Sequence, residues 1–273
     1  MIKLGLIGYP LGHSLSPQIH QAALEACSLQ GDYSLFPISP DDFDGLKALL
    51  ACVRSGELTG LNVTIPHKQS VIPLLDELKP TARAIGAVNT ISMQNGQLTG
   101  DNTDAPGFLA DLRRFFTTET QRRGDAKSGL VLGAGGSAHA VVYALVNDGW
   151  NVTVTARRKK QAEELAIHYG LHTVRFSDLR LATFDLIVNT TPLGMSPDVD
   201  ESPWPAGLPF PANAAVYDLV YNPRQTRLVK DACASGLLAT TGLGMLIEQA
   251  ALAFEIWTGQ NPPREILWDA VKN

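Results

Sequence analysis

Gly133-Ala134-Gly135-Gly136-Ser137-Ala138 sets small residues at a spacing that lets main chain pass close to a charged ligand. In the pattern Gly-x-Gly-x-x-Ala the first glycine permits a tight turn, the second lets the backbone approach a pyrophosphate, and the last small residue allows a helix to pack closely on a strand. The apolar run Leu130–Leu132 precedes the turn and the helix-period stretch Ser137–Asn147 follows it, so the first N–H groups of the helix face the phosphates. A second strand, Asn151–Thr155, completes the unit. Gly133, Ala134, Gly135, Gly136 and Ser137 are therefore candidate ligands of a dinucleotide.

A site for NAD carries an acidic residue about 20 positions beyond such a turn, where it bonds the ribose hydroxyls. Here the second strand runs instead into Ala156-Arg157-Arg158-Lys159-Lys160. This cluster suits a ribose 2′-phosphate, because guanidinium groups grip phosphate oxygens in a bidentate, charge-assisted way. NADP(H) is the expected cofactor, with Arg157, Arg158 and Lys160 at its phosphate. The other reading is a solvated basic helix start. Cations there oppose the helix dipole, so a compensating anion is expected.

Polar side chains gather in Ser14-Leu15-Ser16-Pro17, in Asn62-Val63-Thr64-Ile65-Pro66-His67-Lys68 and in Gly100-Asp101-Asn102-Thr103-Asp104. Further motifs are Gly86-Ala87-Val88-Asn89-Thr90, Asn189-Thr190-Thr191-Pro192-Leu193-Gly194-Met195 and Gly242-Leu243-Gly244-Met245 running on to Gln249. Taken in order they span nearly the whole chain, and their combination resembles the shikimate dehydrogenase family. The resemblance implies NADPH-dependent reduction of 3-dehydroshikimate to shikimate, in the pathway that supplies aromatic amino acids. By the same resemblance Lys68 matches the family's catalytic lysine and Asp104 the aspartate paired with it. Ser14, Ser16, Thr64, Asn89, Asp104 and Gln249 match the positions that hold the carboxylate and hydroxyls of shikimate. Tyr221, in Val220-Tyr221-Asn222-Pro223, matches a further substrate-side residue, and Leu219 and Gly242 match positions bordering the nicotinamide. The sequence departs from the family pattern at His139, where arginine is common, and at Ala156 and Arg158, which replace Asn and Thr around Arg157.

The chemistry of the residues agrees. Reducing a carbonyl needs a hydride on carbon and a proton on oxygen, and a cationic acid nearby stabilises the developing alkoxide. Lys68, paired with Asp104, can supply that proton. The alternative for the pair is a surface salt bridge. His13 and His67 have no partner at ligand spacing and read as local hydrogen-bonding residues. Ser14 and Ser16 also stand where they would cap the helix entered at Pro17.

These residues need an α/β framework: an N-terminal α/β substrate domain and a Rossmann-type, doubly wound dinucleotide-binding domain. Strands are expected at Ile2–Ile7, Tyr33–Ile38, Gly60–Val63, Ala87–Met93 and Gln97–Gly100, with helices at Gln18–Leu29, Asp41–Leu50 and Lys68–Leu75. The polar stretch Thr117–Ser128 reads as an exposed connection into the second series. That series has a helix at Gln161–Tyr169, strands at Leu186–Val188 and Ala215–Leu219, and a Pro-rich surface loop at Ser196–Pro211. Met245–Trp257 is a strongly apolar helix. The expected division is 1–104 for the substrate domain, with 243–273 returning to it, and 105–242 for the NADP-binding domain. Since Lys68 and the Gly-rich turn lie in different domains, a cleft that narrows is expected, with hinges at Asp104–Gly107 and Thr241–Gly244.

The chain has 273 residues, 45% hydrophobic and 18% charged, enough apolar material for packed cores. A net charge of −5 argues against a nucleic-acid partner, which calls for a basic face. There is no apolar run of bilayer-spanning length and no signal-peptide pattern, so no membrane partner and a cytoplasmic location are expected. Cys27, Cys52 and Cys233 are widely spaced and read as small buried hydrophobes. The family resemblance leaves monomer or homodimer open. It also leaves open a quinate/shikimate dehydrogenase with broader substrate or NAD use, and an NADP-binding metabolite sensor without turnover.

Overall fold

The computed structural model describes residues 1–119, 127–181 and 183–272, and forms two compact units. One comprises Met1–Gly107 with Leu246–Asn273, the other Phe108–Met245. The first begins with β1 (Ile2–Gly8), α1 (Ser16–Ala26), β2 (Gly31–Pro37), α2 (Phe43–Arg54) and β3 (Gly60–Val63). It continues with β4 (Glu77–Leu78), α3 (Pro80–Ile85), β5 (Thr90–Gln94), β6 (Gln97–Asp101) and the start of α4 (Asp104–Glu119). The sheet order is β2-β1-β3-β5-β6-β4, parallel across β2, β1 and β3 and antiparallel from β3 to β5 and from β5 to β6. Register pairs Leu61 with Ile91, which brings Asn62 opposite Thr90, next to Asn89. Helix α2 is capped by Asp42, whose carboxylate accepts the Gly45 N–H at 2.8 Å. It buries Leu46, Leu50 and Val53, at helical spacing, against Leu61 and Ile91.

The second unit holds β7 (Ser128–Leu132), α5 (Gly136–Asn147), β8 (Asn151–Thr155), α6 (Lys159–Tyr169), β9 (His172–Thr173) and β10 (Leu186–Asn189). It ends with β11 (Ala215–Asp218), α7 (Arg227–Ala234) and β12 (Leu238–Thr241). All six strands are parallel, in the order β12-β11-β10-β7-β8-β9. Counted from β7 this is the 3-2-1-4-5-6 order of a dinucleotide-binding doubly wound sheet. β7, β10 and β11 are almost wholly buried and read as continuous apolar runs, as strands covered on both faces must. The chain closes with α8 (Leu243–Thr258) and α9 (Arg264–Asp269). Among the described residues no helix is long and apolar enough to cross a membrane.

Several expectations are corrected. Lys68–Leu75 is not an α-helix but turns ending in one 3-10 turn, Ile72–Leu74, because Pro73 lacks the N–H that a helix would use. The Pro-rich segment is not wholly surface. Trp204 and Leu208 join the buried core, and the Trp204 indole N–H donates to the Leu208 carbonyl at 2.9 Å. Cys27 and Cys52 are only partly buried, and Cys233 is exposed. Of the candidate hinge glycines, Gly107 lies inside α4 and Gly244 inside α8, the helices within which the chain passes between units, while Gly242 stands just before α8. A Cβ on Gly107 would stand 2.7 Å from the Gln249 nitrogen, and one on Gly244 would collide with the Asp111 carboxylate. Close packing within each unit is therefore what requires glycine there. Most of the connection expected at Thr117–Ser128 lies outside the described residues: 120–126 are not described, nor are the side chains of 117–119.

Candidate active site

In the first unit the site gathers at one end of the sheet. Lys68 lies in the turns after β3, Asn89 just before β5, and Asp104 opens α4, where a carboxylate meets the positive end of the helix dipole. The Lys68 Nζ donates to Asp104 Oδ2 at 2.6 Å, and the side chains are 12% and 6% exposed, which rules out a solvated surface bridge. Asp104 Oδ1 accepts from Asn89 Nδ2 at 2.9 Å, and the same amide approaches Gln249 Oε1 at 3.3 Å. Asn89 is held in turn: its Oδ1 accepts the Thr103 N–H at 2.8 Å and the Thr90 hydroxyl at 3.0 Å. Lys68, Asn89, Asp104 and Gln249 thus form one bonded cluster.

Thr64 is placed at the end of β3 by its N–H, which donates to the Ile7 carbonyl at 2.8 Å. Ser14 Oγ accepts the Ser16 N–H at 3.2 Å at the start of α1, while Leu15 at the N-cap position itself offers no side-chain acceptor. No bond joins Ser14, Ser16 or Thr64 to the Lys68 cluster among the described residues. His67 is buried, its Nε2 2.7 Å from the Ile38 carbonyl, which fixes the proton on Nε2. Its role is local, as expected. Sequence reasoning gave no role to Asn62, whose Nδ2 donates to the Asn89 carbonyl at 3.2 Å and whose Oδ1 accepts the Tyr33 hydroxyl at 2.8 Å.

In the second unit Gly133 follows β7 with φ of 117°, a conformation open to glycine, and its N–H donates to the Thr155 carbonyl at 2.8 Å. Ala134, Gly135, Gly136 and Ser137 lead into α5, and Ala138 is fully buried where the helix meets the sheet. Among the described residues no side chain caps α5, and a Cβ on Gly135 would meet nothing within 4 Å. An uncapped first turn beside open space is a cradle for an anion. Arg157 and Arg158 follow β8 and are exposed. Lys159 pairs with Glu163 at 3.0 Å and Lys160 loosely with Glu164 at 3.8 Å, supplying the compensating anions. Among the described residues neither Arg157 nor Arg158 makes an ion pair. The donor set fits a dinucleotide bearing a 2′-phosphate.

Leu219 and Gly242 come together at the ends of β11 and β12, since a Cβ on Gly242 would collide with the Leu219 carbonyl. Tyr221 lies in the same unit, and burial pushes its hydroxyl up. Behind them is a buried network that sequence reasoning missed. Asp218 Oδ1 accepts from Asn189 Nδ2 at 2.7 Å, and Asp218 Oδ2 accepts from the Thr226 hydroxyl at 2.6 Å. With no cation beside it, burial raises Asp218 to about 6 against the opposing pull of these donors. The signal was available in Asp218 and Thr226, since Thr226 also caps α7.

Two family models match the chain: the shikimate dehydrogenase substrate binding domain over residues 6–91 and the shikimate 5′-dehydrogenase C-terminal domain over 242–272. The chain is 44% identical to a shikimate dehydrogenase (NADP(+)) of Salinibacter ruber, covering 98% of this chain and 95% of that one. It belongs to the shikimate dehydrogenase family. Among solved structures, shikimate 5-dehydrogenase from Thermus thermophilus in complex with NADP(H) and shikimate is 41% identical, with a TM-score of 0.87 over 99% of this chain and 98% of that one. Quinate dehydrogenase from Corynebacterium glutamicum in complex with NAD is 33% identical, with the same TM-score over 98% of both chains. Membership in the shikimate dehydrogenase family accounts for both halves of the architecture, a substrate domain and a Rossmann-type sheet.

Proposed function

We propose that this protein catalyses the reversible, NADPH-dependent reduction of 3-dehydroshikimate to shikimate, a step of chorismate and aromatic amino acid biosynthesis. The observation that carries this reading is the buried Lys68–Asp104 pair, bonded onward to Asn89 and Gln249. NADPH, when bound, supplies the hydride. Lys68 Nζ gives a proton to the carbonyl oxygen and, in the reverse direction, takes it from the hydroxyl. Asp104 holds that ammonium in place and is itself oriented through Oδ1 by Asn89. Ser14, Ser16, Thr64, Asn89, Asp104 and Gln249 bind the substrate carboxylate and hydroxyls, and Tyr221 adds a further substrate contact. Gly133 to Ser137 hold the pyrophosphate at the start of α5. Arg157 and Arg158, with Lys160, hold the 2′-phosphate, and Leu219 and Gly242 border the nicotinamide.

Substrate breadth is the point on which the quinate dehydrogenase neighbour bears, because it shares the fold over nearly its full length. The basic cluster after β8 favours NADP over NAD. The reading assigns the enzyme to the cytoplasm as a monomer or homodimer, with a small-molecule substrate and neither a nucleic-acid nor a membrane partner. The test is the absorbance of reduced nicotinamide, followed for the purified protein with shikimate and with quinate, each against NADP and NAD. Turnover fastest with shikimate and NADP is expected. Binding of NADP and shikimate without turnover would instead identify a metabolite sensor.

A further inference from the structure

The Gly100–Asp104 segment contributes more than its final carboxylate. Asn102 is 2% exposed, and its amide is used at both ends. Oδ1 accepts the N–H groups of Asp104 at 3.1 Å and Ala105 at 3.3 Å, satisfying the first turn of α4. Nδ2 donates to the Ala87 carbonyl at 2.9 Å. The Asn102 N–H is itself pinned by Asp101 Oδ1 at 2.7 Å.

The far end of that bridge matters. Ala87, Val88 and Asn89 are consecutive and buried, and each holds a different part of the site. Ala87 bonds Asn102, the Val88 N–H donates to the Lys68 carbonyl at 2.7 Å, and the Asn89 amide donates to Asp104 Oδ1. The segment therefore grips the lysine by its backbone and the aspartate by its side chain. Asn102 ties that segment to the helix turn on which the aspartate stands.

We propose that Asn102 is a positioning residue, which sets the separation and orientation of Lys68 and Asp104 by bridging the start of α4 to the Ala87–Asn89 segment. The inference rests on the reading of Lys68 as the proton donor. A helix cap needs only an acceptor, which Ser or Asp supplies as well as Asn. Bridging needs an acceptor on the helix start and a donor on Ala87 at once, and the Asn102 amide sets them on two separate atoms, Oδ1 and Nδ2, whereas a serine hydroxyl donates and accepts through one oxygen held closer to the backbone. Losing the donor leaves the buried Ala87 carbonyl unpaired and frees the segment to shift. Proton transfer is sensitive to displacements of this kind.

The experiment compares Asn102→Ser and Asn102→Asp with wild type in steady-state shikimate oxidation, thermal unfolding and NADP binding. Both variants keep a capping acceptor. Each is expected to lose about tenfold or more in kcat while its affinity for NADP stays at the wild-type level. A serine variant with wild-type kcat would overturn the proposal and leave Asn102 a cap. Parallel losses of kcat and NADP affinity would also overturn it, since they report general damage. Should the aspartate variant fail to fold, the serine variant decides. A wild-type protein without shikimate turnover refutes the proposed function itself, whereas an active wild type with unaffected variants refutes only the role of Asn102.

Discussion

Lys68 and Asp104 share a pair that water barely reaches, so removing either partner has two consequences that separate experimentally. Lys68→Ala deletes the acid and is expected to lower kcat by about 100-fold or more, with a smaller change in the shikimate KM. It also strands the Asp104 carboxylate, 6% exposed, on Asn89 alone. Breaking a buried pair in this way costs about 3–5 kcal/mol, and chemical denaturation should register the loss. Near wild-type kcat in a folded Lys68→Ala protein would remove Lys68 from the chemistry. Arg157 differs, because it is exposed and makes no ion pair among the described residues, so truncation exposes nothing and strains nothing. Arg157→Ala should leave stability unchanged and weaken NADP far more than NAD in a fluorescence titration. Equal weakening of the two would show that Arg157 does not read the 2′-phosphate.

At the scale of elements, Gly244 offers a test of packing. It is the second residue of α8 and lies against Asp111, whose Oδ2 accepts the Tyr217 hydroxyl at 2.6 Å and whose Oδ1 accepts the Arg114 guanidinium at 2.6 Å. Gly244→Ala pushes a methyl into that carboxylate, and an overpacked site of this kind costs about 1–3 kcal/mol, read as a lower urea midpoint. An unchanged midpoint would show that Asp111 yields freely. Strands and helices with a strong period were legible in the sequence: β3 and β8 lie at the expected residues, and α5 starts one residue early. Elements whose signal is local and weak were not. Helix α4 escaped because Pro106 and Gly107 stand in its first turn, where proline is tolerated although it resembles a breaker. Strand β9 is two residues long, and β12 is only partly buried at the sheet edge. In the site, residues belonging to recognised motifs were legible, as Lys68, Asn89, Asp104 and Gln249 converge. The supports behind them, Asn62 and Asn102, were not, because buried side-chain hydrogen bonds leave no periodic trace in sequence.

Across the whole molecule, two buried titratable groups tie stability to pH with opposite signs. His20 is fully buried, stacked on Tyr33 with ring centroids 4.3 Å apart, and among the described residues neither ring nitrogen reaches a partner at full hydrogen-bond geometry. Burial lowers it from 6.5 to about 3, against a weaker opposing pull from Asn62. The unfolded chain therefore takes up a proton that the folded chain refuses as pH falls below 6.5, and stability drops until about 3. Asp218 is raised from 3.8 to about 6, so its contribution is fully present below 3.8 and is lost as pH rises through about 6. Between 3.8 and 6 the two slopes oppose each other, and the wild-type curve alone hides both. Differences between variants expose them. His20→Phe keeps an aromatic ring on Tyr33 and removes the titration, so its stability relative to wild type should rise as pH falls from 6.5 toward 3, approaching about 1.4 kcal/mol per pH unit. Asp218→Asn should change in the opposite sense, losing stability relative to wild type as pH falls from 6 toward 3.8. Urea denaturation across this range measures both differences. A His20→Phe difference that stays constant with pH would mean that His20 carries a proton in the folded protein, and that its ring nitrogens find partners once it is charged.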